Sequence, residues 1–170
     1  MPILTITGSA RPDSSNVWLL QKLAEHLPQY AYRYFNIADL PLFQPTLDQH
    51  PWPPAVVAWR QAVATADAVI IATPEYIHNI PALLKNALEW VTSSGELAGK
   101  PVLPITFTPH APRGERAMQS LLWSLEALDA RIVVQLPLYQ NEMIKMADGF
   151  SLPEEVAEML AEAVGMLGVG

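Results

Sequence analysis

Apolar and polar positions follow two rhythms along this chain. The run Ala68–Thr73 is continuously apolar. It lacks the polar alternation of a strand with one wet face, so it predicts a strand buried on both faces of a parallel sheet, with Ile3–Thr7 and Val102–Phe107 as further strands. Between them, apolar residues recur at helical spacing over Val17–Leu27, Val56–Ala66, Pro81–Val91, Glu115–Leu128 and Leu152–Leu167. Tyr30–Asn36 and Arg131–Leu136 supply a second and a fifth strand. Five strands alternating with five helices predict an α/β three-layer sandwich, and 170 residues fit one domain with one sizeable core. Strand order does not follow from the pattern. The commonest five-stranded doubly wound order, 2-1-3-4-5, would bring the loops after strands 1, 3 and 4 onto one rim, where ligands of open parallel sheets bind.

Prolines and small polar residues punctuate these elements. Pro74 ends the central strand, because it has no amide hydrogen and biases Thr73 toward extended backbone. Asn79 is a candidate cap for the next helix, with Pro81 in its first turn. The Pro-rich connection from Leu40 to Pro54 is too long for a simple turn and reads as either a lid or a spacer.

The first strand opens into Gly8-Ser9-Ala10-Arg11-Pro12-Asp13-Ser14-Ser15-Asn16, immediately before a helix. Hydroxyls, an amide, a guanidinium and the free N–H groups of a helix start can converge there, a donor set suited to phosphate. Glycine is too sparse for G-x-G-x-x-G, so a terminal monophosphate fits better than a dinucleotide pyrophosphate. The plainer reading is that Ser14, Ser15 or Asn16 caps the helix while Arg11 is a solvated charge. The loops Pro74–His78 and Thr108–Arg116, after strands 3 and 4, would share this rim.

Charge narrows the field. A net charge of -7 without any Lys/Arg cluster argues against nucleic acid. The absence of cysteine removes thiolate nucleophiles, disulfides and Cys-ligated metals, and fits a reducing cytoplasm, so redox chemistry must come from a cofactor. His78 and His110 stand at the rim, but no histidine or carboxylate partner lies at metal-ligand spacing, so no metal is expected. The segment Met1–Ile6 lacks the features of a signal peptide, and no apolar run reaches membrane-spanning length. A soluble, cytoplasmic protein with no membrane contact is expected.

Two blocks resemble the NADPH-dependent FMN reductase family, the flavodoxin-like group that includes quinone, chromate and azo-dye reductases. One is Gly8–Asn16, matching G-S-x-R-x-x-S-x-N; the other is Pro74-Glu75-Tyr76 with Ile80-Pro81 and Leu84–Trp90. The resemblance implies a flavodoxin-like fold and an enzyme that takes electrons from NADPH or NADH through FMN to a small-molecule acceptor: a quinone, flavin, azo compound or metal oxyanion. It implies that Ser9, Arg11, Ser14 and Asn16 hold the FMN phosphate, with Ser15 as a further donor, and that Pro74, Glu75, Tyr76 and Ile77 face the isoalloxazine. His110 joins them from the third loop. Hydride chemistry then belongs to the flavin, and no protein residue is assigned a catalytic role.

The resemblance also implies a homodimer or homotetramer; Trp90 and Trp123, large aromatics on helices, belong in the core or at a subunit contact, with at least one expected at a contact. Two departures stand out. Many relatives have Asn-Gly-Ser where this chain has Ile77-His78-Asn79, and a glycine-rich loop where it has Thr108–Gly114. The stiffer third loop offers Arg113 or Arg116 to a nucleotide phosphate, or leaves both as surface charges. A flavodoxin-type electron carrier and a flavin-free scaffold are the rival readings.

Overall fold

The computed structural model describes residues 2–146 and 149–169. Strands β1 (Pro2–Thr7), β2 (Ala31–Tyr34), β3 (Ala68–Thr73), β4 (Pro101–Thr108), β5 (Arg131–Ile132) and β6 (Leu136–Tyr139) form one parallel sheet in the order β2-β1-β3-β4-β5, with β6 also on β4. This is the 2-1-3-4-5 order commonest among five-stranded doubly wound sheets, and the flavodoxin-like fold that the resemblance implies. Every residue of β3 is buried, as its unbroken apolar run requires.

Helices α1 (Ser15–His26), α2 (Pro54–Thr65), α3 (Ala82–Glu89), α4 (Glu115–Ala127) and α5 (Glu154–Gly165) cover both faces. Alternate strand residues feed two cores. Ile3, Ile70 and Phe107 pack with Leu19 and Leu23 of α1 and Leu160 of α5. Leu4, Ile71 and Val102 pack with Trp59 of α2, Leu88 of α3 and Leu121 of α4. The period of two in each strand separates these layers.

The fifth strand departs from the continuous Arg131–Leu136 expected. Val102 pairs with Ile132 and Ile105 with Leu136, so the register advances by one residue across a break at 133–135. Pro104 supplies the reason. The Val102 carbonyl accepts from the Val133 N–H at 3.1 Å, which turns the polar groups of Val102 toward the fifth strand. Alternation turns Pro104 the same way, where it has no N–H to give.

The Pro-rich connection is neither lid nor loose spacer. Trp90 Nε1 and Asn86 Nδ2 both donate to the Pro41 carbonyl, at 2.7 and 3.0 Å, and the Phe43 N–H donates to Asn86 Oδ1 at 2.7 Å. Farther along, Arg60 Nε bonds Glu96 at 2.8 Å, Nη1 approaches Asp48 at 3.5 Å, and the guanidinium lies 4.0 Å over the Trp52 ring. Trp90 is therefore fully buried, which corrects its candidacy for a subunit contact, while Trp123 is 64% exposed. A hairpin of β7 (Ile144–Met146) and β8 (Gly149–Ser151), which the hydrophobic pattern does not announce, follows β6. No described helix is long and apolar enough to cross a membrane.

Candidate functional site

The loops after β1 and β3 meet where Gly8 allows it. Its N–H donates to the Ala72 carbonyl at 2.9 Å, and a Cβ on Gly8 would stand 2.5 Å from Thr73 Oγ1. Only glycine permits that approach without displacing Thr73. A cleft of about 540 Å³ opens above, lined by residues of the loops following β1, β3 and β4 and by Gly149 and Phe150 of β8. That volume lies in the range of small-ligand pockets.

Ser14 is the N-cap of α1, its Oγ accepting from the Val17 N–H at 3.2 Å, which resolves which residue caps the helix. Ser9 Oγ accepts from the Arg11 N–H at 3.3 Å, and Ser15 Oγ accepts from Gln140 Nε2 at 2.9 Å. Each of the three hydroxyls thus takes a protein N–H on its oxygen and keeps its own hydrogen to give. The first-turn amides of Ser15 and Asn16 have no i−4 carbonyl inside the helix. Asn16 is buried; its Nδ2 donates to the Phe107 carbonyl at 3.2 Å, while its Oδ1 is buried without a partner. Arg11 lines the cleft with its side chain 71% exposed and its Nε on Asp13 at 3.3 Å. This donor set fits an anion at the start of α1, and the orphaned Asn16 Oδ1 fits a hydroxyl donor beside it, as a phosphorylated polyol provides.

Pro74, Glu75 and Tyr76 line the same cleft. The Glu75 carboxylate, 7% exposed, points into the protein: its Oε2 accepts from the Gly114 N–H at 3.1 Å and the Ala117 N–H at 3.0 Å, at the start of α4. Gly114 has φ +105, and a Cβ there would lie 3.0 Å from Thr106 Oγ1, so α4 begins at a residue that cannot cap it. Glu75 supplies the cap and ties the second loop to the third.

Tyr76 and Asn79 exchange two backbone bonds of 3.0 Å around Ile77 (φ 52) and His78 (φ 56), a tight hairpin turn with both central residues left-handed. Ile77, which the resemblance would set against the ring, is 97% exposed at the tip and is not among the residues lining the cleft. Asn79 does not cap α3: its Oδ1 accepts from the Ile80 N–H and the Ser120 hydroxyl instead. His110 stands apart from the lining too. The turn closed by the Arg113 N–H on the His110 carbonyl at 3.0 Å leaves its ring exposed, beside the Ala111 carbonyl and outside the lining.

Arg113 lines the cleft and Arg116 does not. The pattern also left Trp18, Phe107, Gln140 and Phe150 unassigned. Trp18 stacks on Phe107 at 6.2 Å and meets Phe150 edge-on at 5.7 Å, forming an aromatic wall. Helical spacing from the cap Ser14 could have flagged Trp18, whereas Gln140 and Phe150 belong to a segment without rhythm.

A doubly wound sheet with a phosphate-type cradle at the start of α1 and a second loop on the same rim defines a flavodoxin-like mononucleotide-binding protein. Comparison with known proteins narrows the class: the NADPH-dependent FMN reductase family matches residues 1–140. The chain belongs to that family and is an FMN-dependent oxidoreductase of NAD(P)H.

Among curated relatives, the Vibrio ruber protein named NADH:(hydroxy)cinnamate reductase subunit CrdA is 39% identical over 137 residues, 78% of this chain and 67% of that one. A quinone reductase of Escherichia coli K12 is 34% identical over 150 residues, 85% of this chain and 79% of that one. Among solved structures, the flavoenzyme FerB of Paracoccus denitrificans superposes with a TM-score of 0.80 at 24% identity, covering 98% of this chain and 95% of that one. At that identity it supports the fold alone.

Proposed function

We propose that this protein is a quinone-type reductase in which FMN sits in the cleft, its phosphate on Ser9, Arg11, Ser14, Ser15 and Asn16 and its ring against Pro74, Tyr76 and the backbone at Glu75. The observation carrying this reading is that the donor cluster at α1 and the Pro74–Tyr76 loop line one cleft, joined at Gly8. When bound, FMN supplies a centre that accepts hydride and returns electrons singly or in pairs.

The chain's own residues have three tasks. The serine hydroxyls and helix amides neutralise phosphate charge. Trp18, Phe107 and Phe150 keep water from one side of the cleft. Arg113 gives a nucleotide phosphate a cation at the mouth. A quinone suits the exposed Tyr76 ring as acceptor, and the relatives named quinone reductase favour it. The working form is a single domain in a cytoplasmic homodimer or homotetramer, with exposed Trp123 a candidate contact.

The test is an absorbance spectrum of the purified protein, repeated after NADPH is added without oxygen, then steady NADPH oxidation with added benzoquinone. A flavin spectrum that bleaches with NADPH and returns with quinone is expected. A colourless protein that ignores added FMN would refute the reading.

A further inference from the structure

A second cavity, about 520 Å³, lies on the other side of the loop after β1, between α1 and the edge strand β2. Ser9 and Arg11 line both spaces, so the phosphate-type loop is a partition with a ligand-sized space on each side. Val17, Leu20 and Ala24 of α1 form one wall, and the rings of Tyr32 and Tyr34 belong to the other. Tyr32 Oη is buried there without a hydrogen-bond partner, an unspent donor. Gln21 adds an amide, and Arg11, whose Nε is held by Asp13, has no hydrogen bond from its terminal nitrogens among the described residues.

We propose that this cavity is a second binding site, adjacent to the FMN cleft and sharing Arg11 with it, for a flat aromatic anion, its ring between α1 and the two tyrosines and its charged group on Arg11. The chemistry follows from the lining. Two tyrosines facing aliphatic side chains accept a planar ring. An orphaned phenol hydroxyl at depth asks for an acceptor atom on that ring. The single guanidinium on the partition requires a carboxylate or phosphate at the same end. Burial pushes the Tyr32 phenol well above its ordinary range, so the group remains a donor at any working pH. The shared chemistry has two sources, the adenylate end of a pyridine nucleotide or a free aromatic acid, and the inference goes beyond the flavin reading without needing it.

The test is titration calorimetry of the FMN-loaded protein with AMP and, separately, with 4-hydroxybenzoate. At least one probe is expected to bind, with affinity falling about 3- to 10-fold in Tyr32→Phe, as for one lost neutral hydrogen bond, while FMN affinity stays unchanged. Retention of the signal in Ser15→Ala, which perturbs only the flavin cleft, separates the two sites even if FMN does not bind. Binding of AMP, with a raised KM for NAD(P)H and unchanged kcat in Tyr32→Phe, would identify the pyridine nucleotide; binding of 4-hydroxybenzoate alone would identify an aromatic acid. No heat from either probe, or binding that FMN abolishes, or binding indifferent to Tyr32→Phe, would overturn the proposal.

Discussion

Replacing Glu75 tests whether one carboxylate holds two walls of the cleft together. The side chain is 7% exposed, and its Oε2 accepts from Gly114 and Ala117 at 3.1 and 3.0 Å. Loss of a capping side chain costs about 0.5–2 kcal/mol, and a buried charged acceptor of two N–H groups belongs at or above the top of that range. Glu75→Ala should therefore cost about 2–3 kcal/mol, since it strips both amides and removes a negative charge at the start of α4. For a chain of this size each kcal/mol moves Tm by about 2–4 °C, so a fall of about 5–10 °C is expected. Glu75→Gln keeps one oxygen able to accept both N–H groups and loses mainly the interaction of charge with the helix start, about 0.3–1 kcal/mol. Urea unfolding of the FMN-free variants, followed by tryptophan fluorescence, reads the order parent, Gln, Ala. Because the same oxygen ties the Tyr76 loop to the Arg113 loop, the Ala variant should also bind FMN more weakly. An Ala variant within about 0.5 kcal/mol of the parent, the range of an ordinary surface substitution, would refute the capping role, as would a Gln variant less stable than Ala.

Three further outcomes are expected. Arg11→Ala should weaken FMN binding about 5- to 30-fold, or about 1–2 kcal/mol, less than a buried charged contact because the side chain is 71% exposed and shared with Asp13; an unchanged dissociation constant in a fluorescence titration would make Arg11 a surface charge. Arg60→Ala strands the nearly buried carboxylates of Asp48 and Glu96 and should cost about 3 kcal/mol in urea unfolding, leaving FMN affinity intact because none of the three lines the cleft. Burial raises the phenol pKa of Tyr32, Tyr34 and Tyr139 above 10.0, with Tyr30 adding to the first and Glu115 and Glu142 to the last. The folded state then keeps protons that the unfolded chain loses, so this stability is complete below 10.0 and declines as pH rises past it. Lys100, pushed down by burial, acts in the opposite sense below 10.5, so the decisive comparison is between Tyr32→Phe and parent. The variant's urea midpoint should fall less between about pH 9 and about pH 11, and equal slopes would count against the argument.

How far the sequence carried the fold depends on what each residue type can signal. Strands buried on both faces leave continuous apolar runs, so β1, β3 and β4 were legible, and the hydroxyl-rich loop before α1 announced its donors because capping and anion binding draw on the same residues. The β7–β8 hairpin was not legible: Ile144, Lys145 and Met146 are all exposed, so no alternation marks them, yet Phe150 completes the aromatic wall of the cleft. The direction of a side chain was also hidden. A loop motif names Glu75, Ile77 and His110 but not their directions: one lines the cleft while its carboxylate turns inward to cap α4, one sits on the tip of a left-handed turn, and one is exposed beside its own loop.

The break in the fifth strand had a visible cause that the apolar run concealed. Pro104 reads as apolar in a hydrophobic tally, but in a ladder it is a missing donor, and alternation from Val102 fixes which neighbour loses the bond. That neighbour is the edge side, where β5 and β6 can separate and shift register, rather than β3, whose pairing with β4 from Val69 to Thr73 stays unbroken. Beyond the break β6 pairs with β4 as far as Tyr139, and the next residue, Gln140, donates to Ser15 Oγ at 2.9 Å.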